Sequence, residues 1–435
     1  MRLRCYLKSK IIFGIFVAFC YLFFGFRTKS GTISDPFVPY LIQKAPEILK
    51  DLGEEISGDV RVRKLIFKSF NYQDSNEVKQ AEIFAAIVRP EKPGTYPGLL
   101  VLHGGGGSAE IDKAKKWAAC GYVVVVLDEP GVANPDKIPF STGPWSKYKY
   151  GENRFVVKPS LFSSTIFSAV LASVQGLCLL YSQPDVIKGK IGIVGISWGG
   201  YLTTIVSGLE NNLVKASFSV YGSGFYDKGS VFFNELDKME PEDRAIWLKY
   251  FDAGRRAANI KTPFFIAAAA NDNWFYPPSV ISTLKNIKGP ANHLFSPNCS
   301  HKIDLPGGTL DPEPEQPGWL SMEKVYFDYY LKNIGQPLPV IKRIKAERQM
   351  SGDWLVRFRI SSKTTIAVAQ LNYSEIGVEW TKRKWKTIEA KSLNDGWYEA
   401  HISSSEIRKT FECFASISDT RPVTVSSYLV LCDID

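Results

Sequence analysis

Histidine is scarce in this 435-residue chain, with four in all, and the seven cysteines form no C-x-x-C pair. A Cys/His zinc site is therefore not expected. There is no Lys/Arg-rich arm and no stripe of basic residues interleaved with aromatics, although the net charge is +9. The basic residues are spread along the chain, which argues against a nucleic-acid partner. A phosphate-binding G-x-x-x-x-G-K-[ST] loop is also missing. Charged residues make up 22% against 45% hydrophobic, which excludes a disordered chain, a small disulfide scaffold and a polytopic membrane protein. Such a length suggests about two to three domains.

Arg2, Arg4, Lys8 and Lys10 precede an unbroken apolar run over residues 11–26. A basic flank followed by such a run is the form of an export signal. At 1.5 Å per residue the run spans roughly 24 Å, short of the ~30 Å hydrocarbon core, which favours a cleaved signal peptide. No A-x-A site follows and Arg27 comes directly after, so an uncleaved membrane anchor stays open. Either form puts the bulk of the chain outside the cytoplasm, secreted, periplasmic or at the cell surface. Disulfides are permitted there, and Cys413 and Cys432 share the C-terminal segment where one would form.

Beyond the signal, residues 35–52 carry proline punctuation and then a weakly helical stretch, and residues 60–90 read as strands. Short Val/Ile-rich runs at 99–102, 122–127, 191–196, 216–220 and 263–270 read as strands buried on both faces of a parallel sheet. Helical stretches at 109–119, 161–181, 201–209 and 278–288 alternate with them, the pattern of a doubly wound α/β sheet. Past Pro337 the character changes to short alternating segments broken by Ser-Gly-Asp, Asn-Asp-Gly and Thr-Arg-Pro turns, a small antiparallel β-sandwich. The expected division is thus 1–30 signal or anchor, 31–59 lead-in, 60–336 α/β domain and 337–435 sandwich.

Gly195-Ile196-Ser197-Trp198-Gly199-Gly200 follows a buried strand and opens a helix, the setting of a nucleophile elbow that lifts a serine Oγ above the sheet. An oxyanion hole would draw one backbone N–H from Trp198 and another from His103-Gly104-Gly105-Gly106-Gly107, after the first parallel strand. Gly105 ranks first and Gly106 second. The general base should be a histidine following the serine and an acid in chain order. His103 precedes the serine, His293 begins a strand and His401 lies in the sandwich, which leaves His301. Asp272, after the strand over 263–270, is the expected orienting acid, with Asp128 in reserve. Trp274 and Phe275 are the expected substrate-facing aromatics, with Trp145, Tyr148, Trp198 and Tyr276 nearby in kind.

The pairing of the His103 glycine run with the Ser197 elbow resembles the α/β-hydrolase superfamily, and more closely its secreted acetyl xylan esterases and dienelactone-hydrolase-like esterases. Residues 121–131, 220–225 and 271–277 resemble that group too, and the likeness covers about 60–335. It implies an α/β-hydrolase fold, Ser197 as nucleophile, Asp272 as acid, His301 as base and no metal or organic cofactor. Cys299-Ser300-His301-Lys302 departs from the group, whose members often have glycine near the histidine. The function so expected is a serine esterase removing acetyl or other small acyl groups from a polysaccharide or oligosaccharide, with membrane contact only through an uncleaved N-terminus. The competing expectations are a serine peptidase of the acylaminoacyl-peptidase type and a non-catalytic glycan-binding surface protein. The sandwich would then bind glycans or brace the α/β domain.

Overall fold

The computed structural model describes residues 34–41, 44–209, 212–305, 308–309, 321–407 and 409–433. The expected signal or anchor over residues 1–30 lies outside them. A nine-stranded sheet forms the centre, in the order β1-β2-β3-β5-β4-β6-β7-β8-β9. Its strands are β1 (Ile48–Ser57), β2 (Val60–Asp74), β3 (Glu77–Pro90), β4 (Tyr96–Leu102), β5 (Val123–Leu127), β6 (Val186–Ile196), β7 (Ala216–Val220), β8 (Phe264–Ala269) and β9 (Ala291–Ser296). The first three run antiparallel, and β5 to β9 are parallel neighbours through β4. Every residue of β5, β7 and β8 is buried, as expected of strands covered on both faces.

The sheet begins earlier than its sequence suggests. Residues 48–57, expected within a lead-in ending at 59 and partly as weak helix, form the edge strand β1, paired with β2. Ile48 and Leu52 have helical i,i+4 spacing, but the open edge of β2 offers a full ladder of backbone partners, and tertiary pairing overrides the local signal. Gly53 (φ +96°) accommodates the irregularity in register between Asp51 and Glu54.

The helices are α1 (Ile111–Ala119), α2 (Thr165–Ser182), α3 (Trp198–Leu209), the short α4 (Phe233–Asp237), α5 (Pro241–Tyr250) and α6 (Ala253–Arg256), then α7 (Pro277–Asn286) and α8 (Ser321–Phe327). Trp117 of α1 meets Phe327 of α8 edge-on at 5.8 Å. Helix α2 is long and apolar enough to cross a membrane, yet 89% of it is buried inside the fold, which marks a core helix. A two-residue pair, β10 (Asp304–Leu305) and β11 (Gly308–Thr309), follows β9.

The C-terminal domain is antiparallel and sandwich-like. One sheet holds β12 (Val340–Arg348), β13 (Trp354–Ser361), β16 (Lys391–Ser392) and β17 (Trp397–Ile402). The other holds β14 (Ile366–Glu375), β15 (Lys386–Glu389), β18 (Phe411–Asp419), β19 (Thr424–Ser426) and β20 (Val430–Cys432). Trp354, Val356, Leu371, Ile402 and Phe411 fill the space between them. The loops after β4, β6, β8 and β9 carry His103, Ser197, Asp272 and His301, at the carboxyl ends of parallel strands where α/β sheets place their sites.

Candidate active site

Ser197 stands alone between the last residue of β6 and the first of α3, in the left-handed region at φ +55°. A non-glycine residue there costs on the order of 1–3 kcal/mol, and the surroundings hold it. Its N–H donates to Val220 O at 2.8 Å and its carbonyl accepts from Tyr201 N–H at 3.0 Å. Gly195 and Gly199 are dictated by crowding, since a Cβ on Gly195 would run into Gly199 O and one on Gly199 into Leu102 O.

The structure brings Ser197, His301 and Asp272 together. His301 Nε2 lies 2.9 Å from Ser197 Oγ, and Nδ1 lies 3.1 and 3.0 Å from the two Asp272 oxygens. Asp272 is fully buried, and its Oδ1 also accepts from Trp274 N–H at 2.7 Å and Phe275 N–H at 2.9 Å. Those two amides turn the chain and fix the carboxylate plane. The imidazole is held between rings, with Tyr221 at 4.4 Å and Phe275 at 6.1 Å. Among the described residues no three His, Cys, Asp or Glu side chains gather as a metal site.

The other candidates fall elsewhere. Asp128 accepts from Ala109 N–H and Ser141 Oγ, and burial pushes its carboxyl up to about 6. His103 is buried under the glycine run, where Nδ1 donates to Gly104 O and Nε2 accepts from Glu129 N–H. Burial holds its imidazole below the usual range, which suits the neutral ring these bonds require. His401 is exposed beside Glu399, and His293 is buried against the C-terminal domain.

Two expectations need correction. Gly106 cannot serve as an oxyanion donor, because at φ +75° its N–H is turned to Val132 O at 2.8 Å. Gly105 N–H has no acceptor among the described residues, and Trp198 N–H opens α3, where a helix leaves its first amides unpaired. Phe275 does not face a substrate, since it is 1% exposed and stacks on His301, whereas its neighbour Trp274 is 41% exposed. Trp145 and Trp198 are buried too.

Tyr150 and Arg154 escaped the sequence reading. The Arg154 guanidinium lies 4.6 Å from the centres of both the Tyr150 and Trp198 rings, and its Nε donates to Gly131 O. A Cβ on Gly105 would stand 2.5 Å from the Tyr150 hydroxyl and 2.6 Å from Trp198 Cδ1, so this cluster roofs the glycine run. The available signal was Tyr148-Lys149-Tyr150 next to Trp145, too ordinary a run to single out.

An elbow serine, a glycine-rich loop after β4 and an acid and histidine after β8 and β9 define a class, and the chain belongs to the α/β-hydrolase superfamily. Within it the chain is related to the acetyl xylan esterase and dienelactone hydrolase enzymes, and the pattern of the dienelactone hydrolase family matches residues 83–295. It is 23% identical over 237 residues to the acetyl esterase Axe7A of Xylanibacter ruminicola, covering 51% of this chain and 53% of that protein. It is 25% identical over 244 residues to the uncharacterized peptidase YuxL of Bacillus subtilis, covering 51% of this chain and 34% of that protein. The chain thus matches about half the length of the first relative and a third of the second. Among solved structures, acetyl xylan esterase 1 from Thermoanaerobacterium sp. superposes with a TM-score of 0.49 at 19% identity, over 62% of this chain and 87% of that one.

Proposed function

We propose that this chain is a serine esterase that removes acetyl or other small acyl groups from carbohydrate, outside the cytoplasm, through Ser197, His301 and Asp272. The observation that carries the reading is the unbroken hydrogen-bonded relay from Ser197 Oγ through the His301 ring to buried Asp272. His301 Nε2 takes the proton from Ser197 Oγ as the oxygen attacks an ester carbonyl. Asp272 holds the ring with Nδ1–H toward itself and stabilises the imidazolium. The Gly105 and Trp198 amides receive the negative oxygen of the tetrahedral intermediate, a contribution of about 10²–10³ in rate per donor. The imidazolium then protonates the departing alcohol, and water, activated by the same ring, releases the acid from the serine ester.

An acetylated carbohydrate is supported by the likeness to an acetyl esterase and by exposed Trp274, which lies 6.3 Å from the His301 ring and offers a face for a sugar. Location outside the cytoplasm rests on the basic and apolar N-terminal residues. The likeness to a peptidase keeps a peptide bond as the second reading. The test is acetate release from acetylated xylan by residues 31–435, with Ser197→Ala alongside. Release confined to the unaltered chain supports the proposal. Absence of release, with Ser197-dependent cleavage of peptide p-nitroanilides, would move the reading to the peptidase.

A further inference from the structure

The C-terminal domain is joined to the turns that carry Asp272 and His301. We propose that its segment 380–385 clamps both turns, with Asn271 and Asn298 as positioning residues for the Asp272–His301 pair; this rests on the catalytic reading of that pair given above. Asn271 precedes Asp272, and its Nδ2 donates to Trp380 O at 3.0 Å and Arg383 O at 2.7 Å. Its backbone N–H donates to Cys299 O at 3.0 Å, which ties the acid turn to the histidine turn. Asn298, three residues before His301, donates from Nδ2 to Trp385 O at 2.7 Å and accepts at Oδ1 from Trp385 N–H at 2.8 Å.

Asn298 thus pairs with the Trp385 backbone through both its amide atoms, whereas Asn271 uses its Nδ2 alone, shared between two carbonyls. Asn298 makes its pair from φ +56°, a left-handed conformation asparagine tolerates better than most residues. The pairing needs a donor and an acceptor at one reach; aspartate lacks the donor and alanine lacks both. Apolar contact backs the polar clamp. Buried Trp385 meets Phe414 at 5.0 Å, Phe414 meets Phe295 of β9 at 5.9 Å, and all three share one core with Phe264 and Ile266 of β8. The strands delivering acid and base are therefore packed on the C-terminal domain directly. Relays of this kind demand placement within about 0.5 Å, and a misplacement of about 1 Å costs on the order of 10² in rate.

The test uses the full chain, with Asn271→Ala, Asn298→Ala and the milder Asn298→Asp, each alone and combined with Asp272→Asn. With p-nitrophenyl acetate, kcat should fall about 10- to 100-fold in the alanine variants while KM stays within about twofold. The Asn271→Ala loss should largely vanish in the Asp272→Asn background, since that side chain acts through the acid turn. Asn298→Asp should fall between the wild type and Asn298→Ala. With only four histidines in the chain, imidazole proton NMR offers a readout independent of turnover. The downfield Nδ1–H signal of His301 should be present in the wild type and lost or shifted in the alanine variants. Full additivity of Asn271→Ala with Asp272→Asn, or an unmoved signal with unchanged kcat, overturns the clamp. A wild type inert toward every ester would count against the esterase reading, and the imidazole spectrum would still decide the clamp.

Discussion

Acidification should loosen the contact between the sheet and the C-terminal domain through one residue, His293. It is 5% exposed on β9, its Nε2 lies 3.1 Å from Ser427 O and its ring stacks on Tyr428 at 4.7 Å. Lys285 Nζ lies 5.9 Å from the centre of the same Tyr428 ring, so a second cation there is unwelcome. Burial pushes the imidazole down to about 4, with the Ser427 hydrogen bond acting weakly the other way. In the unfolded chain the ordinary value is 6.5. The folded state therefore prefers the neutral ring. The contribution is in place above pH 6.5 and is lost as pH falls toward 4. It amounts to roughly 3 kcal/mol in full, of which about 2 kcal/mol goes between pH 7 and pH 5. His293→Phe keeps the stack on Tyr428 and removes the titration, at a pH-independent cost of about 1 kcal/mol for the hydrogen bond. Urea unfolding followed by tryptophan fluorescence at both pH values measures the difference. The variant should lose about 2 kcal/mol less than the wild type on acidification. Equal losses in the two proteins would refute the assignment of this acid sensitivity to His293.

Gly105→Ala should lower kcat by about 10²–10³ through displacement of an oxyanion amide and lower the urea midpoint as well, because its methyl would stand within 2.6 Å of the Tyr150 hydroxyl and of Cδ1 of the buried Trp198 ring, which must shift; unchanged turnover would remove Gly105 from the donor set. Gly195→Ala should abolish soluble expression or cost about 3 kcal/mol or more, since its methyl meets backbone at Gly199, and a wild-type melting curve would refute it. Cys413 Sγ and Cys432 Sγ face each other at 3.8 Å on neighbouring strands, so an added disulfide oxidant should join them and stabilise the chain by about 3 kcal/mol. Thiol alkylation after denaturation checks the bond, and two free thiols there would exclude it.

The site was more legible in the sequence than its surroundings, for a physical reason. A nucleophile elbow imposes glycine at fixed offsets because the strand and helix leave no room for a Cβ, so Gly195 and Gly199 record the geometry in residue type. The order of serine, acid and histidine follows from the strand ends that carry them, and β6 and β8 are apolar runs in the sequence, whereas β9 is marked only by Leu294 and Phe295. Gly106 shows where that kind of record stops. Two adjacent glycines look alike, and which amide turns inward depends on the carbonyl of Val132, set by another loop. Phe275 and Trp274 are consecutive aromatics, yet the turn closed on Asp272 sends one under His301 and leaves the other exposed. Strand β1 exists because β2 has an open edge, which no local pattern in residues 48–57 encodes. Asn271 and Asn298 are the extreme case. Their partners are backbone atoms of Trp380, Arg383 and Trp385, and a carbonyl or amide is the same whatever side chain it carries. Substitution of those partner residues should therefore disturb the acid and histidine turns less than substitution of the asparagines. Trp385 is the exception, because its buried ring also carries the apolar half of the contact, and Trp385→Ala should reproduce the loss in kcat predicted for Asn298→Ala.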